Sequence, residues 1–178
     1  MSRLKTLGLA TLVAFGALAS GPAAANGDKT FFRQAVGKWA GPGEIVAGKY
    51  KGTKFTCTFD GLQHSQKLGM VLDGSCRVGL FAQPMRAEVV QAGKSYRGAF
   101  QDGAKGKGLD IVSGEIQGNK MVVGLDRAQL KGAMVARLSD PDSMAITVSV
   151  RVADQLVPVI GMNLKRSGAS RQSSLEQR

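Results

Sequence analysis

Histidine, cysteine and acidic residues are scarce in this sequence, and their scarcity narrows the chemistry it can perform. It holds one histidine, two cysteines, and 13 acidic residues against 24 basic ones. One imidazole cannot build a His-Glu-x-x-His zinc motif or a cluster of nitrogen and sulfur ligands, and no setting for a Ser-His-Asp triad is recognisable. His64 lies between two predicted strands, where we expect an exposed ring. We therefore expect no metal, no cofactor and no catalysis: a binding protein and not an enzyme.

Long apolar runs are also absent, and no segment reaches the roughly 20 residues that a helix needs to cross a bilayer. The N-terminal apolar stretch, residues 7–19, follows Arg3 and Lys5 and precedes three alanines at 23–25. These three parts are typical of a signal peptide, which we assign to residues 1–25. No cysteine follows the stretch, which argues against a lipoprotein. We expect a periplasmic or secreted protein that does not span a membrane.

The rest of the chain has the size and composition of one globular domain. A domain of about 150 residues buries roughly 70 % of the surface that its unfolded chain exposes. Hydrophobic residues make up 43 % and charged residues 21 % of the sequence, which is ordinary globular usage. We assign residues 26–166 to this domain. Residues 167–178 are poor in apolar side chains and are predicted to form a disordered tail.

The two cysteines, Cys57 and Cys76, become interpretable once export is assumed. In an oxidising compartment an even pair is more typical of a disulfide than of a metal or redox site. Eighteen residues separate them, whereas a redox site would normally have the Cys-x-x-Cys spacing. We predict a disulfide, which should stabilise the fold by about 3 kcal/mol through loop closure.

Alternation of apolar and polar residues with period two, which is typical of β-strands, recurs along the domain. Glycine, asparagine, aspartate and proline separate the alternating segments. Helical turns have room only at residues 29–36 and 126–130. The predicted strands, about ten in all, cover residues 38–47, 53–59, 70–78, 85–90, 96–100, 109–116, 121–125, 134–138, 144–150 and 158–164.

The cysteine pair fits one particular hairpin. If Gln66 and Lys67 form its tip, Cys57 lies opposite Cys76, and both strands place their apolar residues on the same face. A slip of one residue would turn one apolar set toward water. Consecutive short hairpins favour a single antiparallel up-and-down β-barrel of about 8–10 strands, because closure removes exposed edges. A two-sheet β-sandwich is the alternative.

The start of the first predicted strand resembles a known family. Gly37-Lys38-Trp39, preceded by a predicted helical turn, is similar to the Gly-x-Trp motif that opens the barrel of lipocalins and related calycins. The resemblance implies a lipocalin-like barrel whose lower end Trp39 closes against a basic residue near the last strand, either Lys165 or Arg166. The alternative is that Trp39 is a large core residue with no further role.

A broader resemblance concerns the layout of the chain. Residues 32–43, with Trp39 and glycines at 41 and 43, and the later Cys57 and Cys76 resemble small secreted bacterial proteins of uncharacterised function. This second resemblance implies no activity.

Methionine supplies the remaining indication of a site. Six methionines fall on strand faces that we assign to the interior, where this side chain adapts both to gaps in a core and to varied apolar ligands. A filled core and a ligand cavity are both open at this stage. The candidate ligand-binding residues are Trp39, Met70, Met85, Met121, Met134, Met144 and Met162.

Charge suggests an alternative function. Without Arg3 and Lys5, the sequence has 22 basic and 13 acidic residues, which gives a net charge of +9. This positive charge favours anionic partners. The bases are spread along the chain, and export makes nucleic acid an unsuitable target. The first hypothesis is therefore a barrel that binds a small apolar or amphipathic ligand. The second is a cell-envelope protein that binds anionic polysaccharide, lipid head groups or a partner protein through its basic surface.

Overall fold

In the computed structural model, the chain is described over residues 22–101, 109–127 and 130–168, and these contain one helix and ten strands. Each strand pairs antiparallel with its sequence neighbours, and the last pairs with the first, so the sheet is a closed up-and-down barrel. The predicted barrel is confirmed, and the sandwich alternative is wrong. The elements are α1 (Pro22–Ala35), β1 (Gly37–Ile45), β2 (Lys54–Gln63), β3 (Gly69–Val78), β4 (Phe81–Ala92), β5 (Ser95–Gln101), β6 (Leu109–Gln117), β7 (Lys120–Arg127), β8 (Leu130–Asp140), β9 (Ser143–Val152) and β10 (Gln155–Arg166).

Two helix predictions have different outcomes. The turn predicted at residues 29–36 falls in the longer helix α1, which ends at Ala35. In the turn predicted at 126–130, residues 126, 127 and 130 are instead in strands, with Arg127 of β7 paired with Leu130 of β8, and residues 128 and 129 lie outside the described residues. No helix in the described ranges is long and apolar enough to cross a membrane. Residues 1–21 of the predicted signal peptide and 169–178 of the predicted tail lie outside the described residues.

The β2–β3 hairpin has the predicted register. Cys57 pairs with Cys76 and Phe59 with Gly74, and the pairing continues toward the tip. The cysteine Cα atoms are 4.0 Å apart and the two sulfurs are bonded. Cys57 is fully buried, and its sulfur also lies 3.7 Å from the sulfur of Met162 on β10, with β1 between the two strands. The disulfide therefore lies against the core.

Helix α1 closes one end of the barrel, which we call the helix end. Its Phe31, Phe32 and Ala35 are buried in the same core as the inward-facing strand residues. Because β1 leads directly away from the helix, the turns β1–β2, β3–β4, β7–β8 and β9–β10 lie at the opposite end, which we call the far end.

Tyr96 of β5 attaches the helix to the barrel wall. Its ring is buried and meets the ring of Phe32 edge-on, with centroids 5.5 Å apart. Its hydroxyl donates a hydrogen bond of 2.6 Å to the carboxylate of Asp28. Burial raises the pKa of Tyr96, and the hydrogen bond to Asp28 and the charge of that carboxylate raise it further. The protonated phenol is therefore the form that the fold holds.

This contact predicts a loss of stability at high pH. The unfolded tyrosine loses its proton near the ordinary pKa of 10.0, while the folded one keeps it. The unfolded state then binds fewer protons, so the free energy of unfolding should fall above pH 10, by up to about 1.4 kcal/mol per pH unit. Urea unfolding from pH 8 to 12 should show a smaller fall for Tyr96→Phe. Tyr50→Phe, at an exposed site, is the control and should match the wild type; an equal fall in Tyr96→Phe would contradict the assignment.

Candidate functional site

All six methionines predicted to face inward line one cavity of about 60 Å³ inside the barrel. Strand alternation directs these side chains to a common interior. Helix α1 forms the floor through Phe31 and Ala35. The methionines in the lining are Met70, Met85, Met121, Met134, Met144 and Met162, and the remaining lining residues are Phe59, Leu72, Arg86, Ala87, Phe100, Ala136 and Ile146.

The lining offers almost nothing polar to a ligand. Arg86 is the one charged residue among the described residues of the lining, and its guanidinium is bonded to Asp73 at 3.0 Å and lies 3.4 Å from Glu88. Within the described residues the buried core contains no charged side chain, and the Tyr96 hydroxyl and the Trp39 indole N–H both have hydrogen-bond partners within the protein. A ligand here would make dispersion contacts and lose water, but would find no built hydrogen-bond partner.

The volume limits what fits without rearrangement. An apolar cavity of about 150 Å³ accepts benzene, so about 60 Å³ is too small for a ring in this conformation. Methionine has three rotatable side-chain bonds and a polarizable sulfur, so a wall with six of them can reshape around a guest. The shape of the cavity therefore depends on the rotamers of these six side chains.

Trp39, also predicted as a ligand residue, does not line the cavity. It is fully buried at the helix end, where the guanidinium of Arg166 stacks 4.4 Å from its ring centre. β1 and β10 pair these two residues directly. Of the two bases expected there, Arg166 makes this contact, whereas Lys165 bonds the hydroxyl of Ser143. Trp39 and Arg166 therefore close the barrel, as the motif implied.

Trp39 and Arg166 also bind backbone carbonyls at the C-terminal end of helix α1. The last carbonyls of a helix have no partner within it. Trp39 Nε1 donates to the carbonyl of Ala35 at 2.9 Å, and Arg166 donates to those of Gln34 and Val36 at 2.8 and 2.6 Å. A cation at a helix C-terminus also interacts favourably with the helix dipole.

The backbone conformation at position 37 explains why the motif has a glycine there. Its φ of +128° is a conformation that side-chain-bearing residues rarely adopt, and a Cβ atom there would collide with the Arg166 guanidinium. The Gly-x-Trp sequence thus provides two things: Gly37 allows the sharp change of direction after the helix, and Trp39 fills the helix end of the barrel.

His64 is less exposed than predicted. Its Nδ1 accepts hydrogen bonds from the backbone N–H groups of Gln66 and Lys67, both at 3.2 Å, so the ring organises the β2–β3 turn. Its Nε2 faces Glu88 at 3.6 Å. No group of three or more potential metal-ligating residues occurs in the described part of the chain. The structure therefore gives His64 a role in the turn.

Nine of the lining residues were not among the predicted site residues, and two of these nine belong to the helix. Phe31 and Ala35 come from α1 and form the floor. Their spacing of four residues is that of one helical face, so a helix-period reading of this segment could have identified them. What the local sequence does not indicate is that this face enters the barrel.

Comparison with known proteins supports the fold alone. No protein-family model matches the sequence, and no curated protein matches it. A solved structure with a similar fold is that of Rv2717c from M. tuberculosis, with a TM-score of 0.60 and 13 % sequence identity. The match covers 79 % of this chain and 98 % of that one. At this identity the likeness concerns the barrel and carries no activity over.

Proposed function

We propose that this protein binds a small apolar molecule, or the alkyl end of an amphipathic one, inside its barrel. The single observation that carries the proposal is the convergence of six methionines on one apolar cavity. A core selected only for stability would gain from filling that space, because each cubic ångström of void costs about 24 cal/mol. About 60 Å³ of void corresponds to roughly 1.4 kcal/mol of stability forgone.

The binding mode follows from the lining. Because the described lining residues are apolar except for the ion-paired Arg86, the bound group would be recognised by size and apolarity. The flexible methionines would accept a range of shapes, so we expect broad selectivity and modest affinity. Binding without catalysis, in the periplasm or outside the cell as the predicted signal peptide suggests, completes the proposal.

Methionine methyl groups provide a direct test. Met1 falls in the predicted signal peptide, so all six methionines of the mature chain line the cavity. With ¹³C-methyl-labelled methionine, adding benzene or dodecanoate should shift most of these six NMR signals. Native mass spectrometry of protein from its own host should show a bound apolar molecule. Unmoved signals at saturating probe, together with no co-purifying molecule, would refute the proposal.

Filling the cavity should abolish this binding. Ala136 lies in the lining on β8, between Met121 and Ile146 of the neighbouring strands. Ala136→Leu would occupy the void, so the methyl signals should no longer respond to benzene. The free energy of unfolding should change by less than about 2 kcal/mol, because the void accepts much of the added volume.

The matched control for this substitution is Ala145→Leu. Ala145 lies on β9 between the buried Met144 and Ile146, so its side chain points out of the barrel. The response to benzene should be unchanged in this variant. Equal responses in the two variants would show that the probe binds elsewhere.

A further inference from the structure

Exposed apolar side chains concentrate at the far end of the barrel. Ten large hydrophobic residues of the described chain are exposed, and eight of them lie in or beside the far-end turns. Isolated exposed apolar residues are normal, but a cluster on one face indicates an interaction surface. The eight are Val46, Tyr50, Val78, Leu80, Phe81, Leu130, Val152 and Leu156.

The β3–β4 hairpin is the most prominent part of this cluster. Leu80 and Phe81 form its tip and are 94 % and 83 % exposed. All residues from 77 to 84 are exposed, so the hairpin tip packs against little of the barrel. Neither side chain contributes to the buried core. Exposing these two side chains lowers the solubility of the protein and does not stabilise its core. They are therefore better explained by contact with another molecule.

Basic residues accompany these apolar tips. The β1–β2 loop carries Lys49 and Lys51, with the Lys49 ammonium 5.6 Å from the ring centre of Tyr50. Arg77 precedes the β3–β4 tip and Arg151 precedes the β9–β10 turn. Together, residues 46–53, 77–81 and 151–156 contain these four basic residues and one acidic residue.

The three turns are consecutive around the barrel. β10 pairs with β1, and β2 pairs with β3, so the β1–β2 loop lies between the other two turns. A backbone hydrogen bond of 2.9 Å from Val46 to Val159 connects this loop to β10. The apolar tips and their bases therefore belong to one end face.

We propose that this face docks on an anionic lipid bilayer, with Leu80 and Phe81 entering the interface and the four bases facing lipid phosphates. Amphipathic aromatic and basic side chains are favoured at membrane interfaces, and each base near an anionic surface contributes about a fivefold gain in binding. A second copy of this chain is a poorer occupant, because two such faces would bring like charges together. This inference does not depend on cavity binding.

The test is co-sedimentation of the mature protein with vesicles of phosphatidylglycerol and phosphatidylcholine, against vesicles of phosphatidylcholine alone. Binding should require the anionic lipid and should weaken as salt rises. In a Phe81→Trp variant, a blue shift of the new indole on vesicle binding would place residue 81 in the interface. The native Trp39 is buried and supplies a constant background.

Two paired variants locate the surface. Leu80→Ser/Phe81→Ser should weaken vesicle binding about tenfold or more, whereas Leu62→Ser, an exposed apolar site away from the far end, should not. Lys49→Gln/Lys51→Gln should weaken it roughly 10- to 30-fold. Lys67→Gln/Lys94→Gln removes the same charge at exposed positions of the helix end and should have a much smaller effect.

Three results would overturn the proposal. The first is that the wild type does not bind the anionic vesicles at low salt. The second is that the far-end and helix-end variants lose vesicle binding equally. The third is that the protein dimerises with rising concentration, and that Leu80→Ser/Phe81→Ser abolishes this dimerisation while vesicle binding persists. The last result would assign the face to self-association. The methionine methyl signals report separately on the cavity, so either proposal can fail without the other.

Discussion

Replacing Trp39 by alanine is expected to lower the free energy of unfolding by about 3–5 kcal/mol, the usual cost of removing a large buried aromatic side chain. The ring is fully buried, and it supports the Arg166 guanidinium on one face. Its loss would also leave the carbonyl of Ala35 without its partner. Urea unfolding followed by circular dichroism measures the change.

Two milder variants separate the contribution of the Trp39 N–H from that of the Arg166 guanidinium. Trp39→Phe keeps an aromatic ring but removes the N–H donor, so it should cost about 1–3 kcal/mol. Arg166→Lys should also destabilise, because one ammonium cannot reproduce the guanidinium bonds to the carbonyls of Gln34, Val36 and Pro141. Arg137→Lys, at an exposed site on β8, is the control. A cost below about 1 kcal/mol for Trp39→Ala would contradict the assigned role.

Removing the disulfide is expected to cost about 2–5 kcal/mol, the range for small secreted domains. The bond joins residues 19 apart in sequence, and Cys57 is fully buried. The double variant Cys57→Ser/Cys76→Ser should lose more stability than Cys57→Ala/Cys76→Ala, because serine places a hydroxyl with few partners in the core. Thermal or urea unfolding of both variants tests this order.

Reduction offers an internal control. A reducing agent should destabilise the wild type by about as much as the alanine substitutions do, and should leave the double-alanine variant unchanged, because the chain has no other cysteine. Thiol titration of the unfolded, unreduced protein from its exported location should find no free thiol. Two free thiols would contradict the bond in the native protein.

Local pattern was sufficient for the strands and for the β2–β3 register. Period-two alternation specifies which side chains share a face, and the Cys57–Cys76 spacing is compatible with one alignment of the two strands. The same alternation turned Met70 and the other five methionines inward. The helical turn predicted at 126–130 shows the limit, because its residues 126, 127 and 130 are at strand ends, where the periodic signal is short.

Features that join distant parts of the chain required the tertiary structure. The sequence supplied two candidates for the base against Trp39, and only the β1–β10 pairing placed Arg166 over the ring while directing Lys165 to Ser143. The structure also showed that the Phe31–Ala35 face of α1 enters the barrel and becomes the floor of the cavity.

The sequence by itself therefore indicated about ten antiparallel strands, the disulfide and the inward methionines, because each depends on periodicity and spacing along neighbouring strands. The tertiary structure decided between the barrel and the sandwich, because only the pairing of β1 with β10 closes the sheet. The tertiary structure decided whether that interior is filled or hollow. Cavity volume is a small difference between the space that the closed sheet encloses and the volume of the side chains within it. It likewise decided that Tyr50, Leu80 and Leu156, far apart in sequence, share one end of the molecule, because closure of the sheet sets which turns become neighbours.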